Sequence, residues 1–171
     1  FNEEKLRKLR PAFGEKGTVT AGNASSINDG AAAIVVLSPD KVASLGVKPQ
    51  TRIIGYATFS REPEWFTVAP IGAIEKLLKM LALKVSDVDL FEINEAFSGQ
   101  YLAVEKDLKL DRDKVNVNGG SIALGHPLGA TGTRLILTLL YELKRRRKKF
   151  GIASACIGGG QGIAMIVELI G

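Results

Sequence analysis

Residues 129–169, GATGTRLILTLLYELKRRRKKFGIASACIGGGQGIAMIVEL, decide the fold. Leu135, Ile136, Leu139, Leu140 and Leu143 recur at the spacing of one helical face, which predicts a long helix over 129–147. Lys144–Lys149 (KRRRKK) closes that helix, where cations interact favourably with the C-terminal end of the helix dipole. Two apolar runs follow, 151–157 and 163–169, separated by glycines, and together they read as a closing hairpin.

Working back from this unit, the pattern stays regular to residue 50. KVNVN (114–118) and DLFEI (89–93) read as strands, and RIIGYATFS (52–60) as another. Between them lie helices over 96–108 and 70–83, the latter with apolar residues at 71, 74, 77, 78 and 81. The order β-α-β-α-β-α-β-β predicts an α/β domain: a five-stranded mixed sheet, mainly parallel, covered by helices, with its last strand antiparallel. Upstream, residues 1–27 are polar and irregular, with a short strand at Thr18–Ala21. AAAIVVL (31–37) reads as a strand buried on both faces. Ser38 then caps a short helix over 39–45, with Pro39 at its first position and Gly46 at its end.

The 171 residues suffice for one domain with a short attachment, not for two large ones. An apolar fraction of 46% and a charged fraction of 24% exclude a disordered or fibrous chain. Apolar runs stay well short of the roughly 18 residues that cross a bilayer, and FNEEKLRKLR (1–10) is too charged for a signal peptide. The net charge of +5 comes from the basic hexamer, since removing it leaves 17 basic against 18 acidic residues. This argues for a solvated helix end rather than a nucleic-acid surface. One cysteine forms no internal disulfide and fits a reducing compartment.

Three polar groups fall where strands end, the place where ligands collect in open α/β folds. Asn94-Glu95-Ala96-Phe97 follows DLFEI, and Asn94 either caps the next helix or orients a water or a substrate carbonyl. The loop 118–132, NGGSIALGHPLGATG, holds the chain's one histidine, His126, as a structural residue or as a catalyst. It lacks both the P-loop ending and the dinucleotide glycine spacing. Cys156 precedes Gly158-Gly159-Gly160, whose N–H groups can form a nest for an oxyanion. One His and one Cys do not make a metal site.

Taken in order, NEAF, NGGSIALGHPLGATGTR and CIGGGQG, with the upstream GTVTAGNASSINDGAAAIVVLS, closely resemble the C-terminal half of thiolases over about residues 13–171. The resemblance implies acyl transfer between coenzyme A thioesters: reversible condensation of two acetyl-CoA, or thiolysis of 3-ketoacyl-CoA, with no permanently bound cofactor and no metal. It implies that Cys156 is the general acid/base and that its pKa is lowered by a neighbouring imidazolium or aligned amides. His126 would activate the nucleophilic cysteine and help form an oxyanion hole in which Asn94 holds a water. The Gly158 N–H would donate to a second oxyanion hole. Ser25 would lie near the pantetheine arm of coenzyme A, with Phe13, Ala21, Ala96 and Phe97 along its wall.

Thiolases carry the acyl group on a different, earlier cysteine, and this chain has only Cys156. With Phe1 in place of an initiator methionine, that implies a piece of a longer enzyme. Residues 1–48 would be a remnant of the preceding loop and N-terminal regions, and 49–171 the C-terminal domain, with strand order 3-2-1-4-5. The resemblance further implies a homodimer or homotetramer in the cytoplasm, or in an organelle matrix if eukaryotic, without nucleic-acid or membrane partners. Ser121 stands where alanine is usual, and residues 61–66 depart from the acetoacetyl-CoA-type pattern. Acyl chain length stays open. Weaker alternatives are a ketoacyl-carrier-protein synthase and a thiolase-like module retained for assembly or coenzyme A binding.

Overall fold

The computed structural model describes residues 2–170. Its elements in chain order are α1 (Glu3–Arg7), α2 (Pro39–Leu45), β1 (Thr51–Ser60), α3 (Ala69–Met80), β2 (Leu90–Ile93), α4 (Ser98–Asp107), α5 (Ser121–Leu124), α6 (Thr131–Arg146), β3 (Phe150–Ile157) and β4 (Gln161–Leu169). The α/β class and the closing hairpin are as expected. None of the described helices is long and apolar enough to cross a membrane.

The sheet has four strands, not five, in the order β1-β4-β3-β2. β2 pairs parallel with β3, while β4 runs antiparallel to both β3 and β1. The expected order 3-2-1-4-5 put the first strand at the centre. It lies at an edge, because the last strand inserts between it and β3.

The missing fifth strand is KVNVN. Val115 makes one parallel bridge to Phe91, and the Asn116 amide donates to the Phe91 carbonyl at 2.9 Å. There the backbone turns left-handed, at φ 46° for Asn116. The Asn116 carboxamide then takes the place of a sheet neighbour. Its Oδ1 accepts from Ile93 N at 2.8 Å, and its Nδ2 donates to Ile93 O at 2.9 Å. One side chain thus satisfies both backbone groups of the last residue of β2, which would otherwise be orphaned at a buried edge. The alternation in KVNVN is genuine strand patterning, cut short by an asparagine that tolerates the left-handed region.

The two expected upstream strands also fail. Thr18–Ala21 contributes only a bridge from Thr20 to Pro11. Residues 31–37 pair with no strand among the described residues, leaving Val35 85% and Val36 68% exposed. β-Branched composition favours an extended backbone, but a strand needs a neighbour. Helix α2 forms as read: Ser38 Oγ accepts from Lys41 N, and Gly46 ends it at φ 62°.

Alternation along the strands divides the core between the two faces of the sheet. Phe91, Ile93, Ile152, Ala164 and Ile166 pack with Ile74 and Leu77 of α3 and Val104 of α4. Leu90, Ala153 and Val167 pack on the other face, with Leu135, Leu139 and Leu143 of α6. Four side chains of the basic hexamer share three carboxylates at the helix end. Arg145 and Arg146 grip Glu142, Lys148 lies 3.8 Å from Asp89 and Lys149 lies 3.1 Å from Glu168. Replacing Asn116 with Ala removes the side-chain bonds that close β2 and leaves a left-handed alanine. Urea unfolding should show a loss of about 2–3 kcal/mol, and an unchanged stability would refute the strand-closing role.

Candidate active site

β2 and β3 run parallel and end at the same edge of the sheet, in register to Ile93 opposite Ser154. The Asn94 amide extends the ladder one step by donating to the Ser154 carbonyl at 2.9 Å. Asn94 therefore stands one residue past the end of β2, and Cys156 two residues past Ser154 on the neighbouring strand. Asn94 does not cap α4, whose N-cap residue is Phe97. It is 1% exposed, and its Oδ1 accepts from Ser121 Oγ at 2.7 Å.

The loop carrying His126 is stitched into this edge from three directions. Glu95 accepts from Asn116 Nδ2 and from Ile122 N, both at 3.1 Å. A Cβ on Gly120 would run into that Glu95 carboxyl and force it to shift. The backbone N–H of His126 donates to Ser26 O at 3.0 Å, which ties residues 26–28 to the loop. Gly125 turns at φ +95° with Asn28 packed where a side chain would go.

These constraints bring His126 to Asn94, with Nε2 3.5 Å from Asn94 Nδ2. On its other side, His126 Nδ1 lies 2.7 Å from Thr131 Oγ1. The Thr131 hydroxyl also donates to Pro127 O at 2.9 Å. Behind Ser121 stands Arg134, with one terminal nitrogen 3.0 Å from Ser121 Oγ. Cys156 is half-buried, and among the described residues no hydrogen bond joins it to Asn94 or His126.

Burial lowers the His126 pKa below the ordinary imidazole range, and the Arg134 charge lowers it further. Burial raises the Cys156 pKa. The expectation of a thiol made more acidic by an imidazolium is thus reversed. Both groups are neutral at pH 7, mainly because burial disfavours their charged forms.

The remaining expected residues are dispersed around this edge. Gly158 lies exposed in the β3–β4 turn with open space beside it. Ser25 bonds the Ala96 carbonyl through its amide at 3.0 Å and its hydroxyl at 3.3 Å. Phe13 and Phe97 meet edge to face at 6.3 Å, with Phe13 exposed, and Ala21 is also exposed. The sequence reading gave no role to Ser121, Thr131, Arg134 or Glu92. Glu92 carried the clearest signal, a carboxylate in the otherwise apolar DLFEI.

Glu92 is 2% exposed, and its Oε2 has no partner among the described residues. Its pKa is pushed up to about 8, mainly by burial, with Arg134 opposing the shift and Glu95 and Glu142 adding to it. The folded state therefore holds a proton that the unfolded chain releases at an ordinary carboxylic pH. Stability conferred by this proton is complete below about pH 4 and falls as pH rises through about 8. Glu92→Gln should flatten this decline, so its stability relative to the parent chain rises between about pH 5 and pH 8. Parallel pH profiles of the two chains in urea would refute it.

Two family models match the chain. The model described as thiolase, C-terminal domain, matches residues 47–169, and that for thiolase, N-terminal domain, matches residues 1–40. The chain belongs to the thiolase family. It is 52% identical over 165 residues to the acetyl-CoA acetyltransferase of Escherichia coli (strain K12), covering 96% of this chain and 42% of that protein. The crystal structure of the Bacillus anthracis acetyl-CoA acetyltransferase superposes with a TM-score of 0.95 at 50% identity, over 99% of this chain and 43% of that one. Human mitochondrial 3-ketoacyl-CoA thiolase in complex with CoA gives 0.90 at 45% identity, over 99% and 43%. The chain thus spans less than half the length of the relatives it matches.

Proposed function

We propose that the protein carrying this chain is a thiolase that transfers acyl groups between coenzyme A thioesters, condensing two acetyl-CoA or cleaving 3-ketoacyl-CoA with coenzyme A. The observation that carries this reading is the Asn94–His126 pair at the C-terminal end of β2, with Cys156 ending the adjacent strand.

Removing the α-proton of a thioester needs a base and, at the same moment, donors for the enolate oxygen. Cys156 is the base and returns the proton in thiolysis. The resting neutral thiol gives its proton to the coenzyme A thiolate that departs on acylation, and the Cys156 thiolate so formed takes the α-proton. At rest His126 Nε2 is an acceptor facing Asn94 Nδ2. Once protonated it becomes a donor, and with Asn94 Nδ2 it can hold an oxyanion or an ordered water. The exposed N–H of Gly158 supplies a donor beside the thiol. The acyl-carrying thiol is contributed from outside these 171 residues, since Cys156 is the chain's one cysteine.

Coenzyme A is proposed to lie along Ser25, Ala21, Phe13, Ala96 and Phe97. The Phe13–Phe97 contact and the bond of Ser25 to Ala96 O support this course.

In the complete polypeptide, Cys156→Ser should lower condensation and thiolysis by at least about a hundredfold. One equivalent of acyl-enzyme should still form from acetyl-CoA. Loss of acylation to the same degree would show that Cys156 does not have the acid/base role.

A further inference from the structure

The side chains around His126 form one hydrogen-bond chain whose ends cannot be exchanged. At one end stands Arg134, whose guanidinium can only donate, 3.0 Å from Ser121 Oγ. At the other is the Pro127 carbonyl, which can only accept, 2.9 Å from Thr131 Oγ1.

Direction then propagates inward from both ends. Ser121 accepts from Arg134 and so spends its one proton on Asn94 Oδ1, 2.7 Å away. That fixes which end of the carboxamide is oxygen and turns Asn94 Nδ2, a donor, toward His126 Nε2 at 3.5 Å. Thr131 spends its proton on Pro127 and so accepts from His126 Nδ1 at 2.7 Å. The two inferences meet in the ring and agree: Nδ1 carries the hydrogen and Nε2 the lone pair.

We propose that Ser121 and Arg134 are positioning residues, holding the Asn94 carboxamide with its N–H toward His126 and so keeping the resting imidazole in the Nδ1–H tautomer. A flipped carboxamide would present Oδ1 to Nε2, favour a proton there and remove the base. Burial enforces the arrangement, since Ser121 is 0% exposed and water cannot readily replace its hydroxyl. The Arg134 charge also acts on the ring and lowers its pKa.

The consequence for catalysis rests on the acyl-transfer function proposed above. The test does not, because it reads the imidazole rather than turnover, so failure of one is distinguishable from failure of the other. The chain has a single histidine, so ring nitrogen-15 resonances are unambiguous. Above its pKa the unmodified protein should show a protonated Nδ1 and a bare Nε2. Ser121→Ala should mix the two tautomers and raise the titration midpoint by about half a unit to one unit. In an Asn94→Ala background, Ser121→Ala should shift nothing further, since its route to the ring is gone.

An Nε2–H ring in the unmodified protein overturns the proposal. So does a Ser121→Ala chain with unchanged tautomer and midpoint, or one whose shift is equal with and without Asn94. The first arm needs no variant and decides the matter even if the substituted chains fail to fold.

Discussion

The Asn94 amide donates to the Ser154 carbonyl, and this bond joins the ends of two parallel strands at the candidate site. Parallel pairing makes β2 and β3 finish on the same side of the sheet, which an antiparallel pair would not do. Asn94 and Glu95 lie just past the end of β2, and Cys156 is the next-to-last residue of β3. Glu95 then anchors the loop that carries His126, through Asn116 and Ile122. Loss of this register would separate the thiol, the carboxamide and the imidazole together.

Electrostatics at this edge are set by dehydration more than by opposing charges. Burial raises the thiol pKa and lowers the imidazole pKa, so both groups are uncharged at pH 7. Arg134 lies behind Ser121 and discourages a proton on the ring while donating into the hydrogen-bond chain. An uncharged acid and an uncharged base are suited to moving a proton only when a substrate supplies the place for the resulting charge.

Much of this was legible in the residues. The helical spacing of Leu135–Leu143 and the glycine-separated runs after it gave the closing unit, and Ser38, Pro39 and Gly46 gave α2 nearly residue for residue. KVNVN was misread because alternation says nothing about whether a side chain will replace the neighbouring strand, as Asn116 does for Ile93. The position of β1 at the edge was hidden for a related reason: alternation fixes which residues face the core, not which strand lies beside which. At the site, Asn94 and His126 were visible as polar residues at strand and loop ends. Their partners were not, because Ser121, Thr131 and Arg134 acquire their roles only through contacts formed in three dimensions.

The central physical claim is that thiol and imidazole share one pocket at the end of the parallel pair. With one cysteine and one histidine in the chain, a charge can be placed on the first and read at the second. Carboxymethylating Cys156 sets a carboxylate on the sulfur, and His126 is then titrated by NMR. A shared pocket predicts a clear rise in the imidazole pKa, because a nearby negative charge favours the protonated ring. An imidazole that titrates identically before and after modification would contradict it.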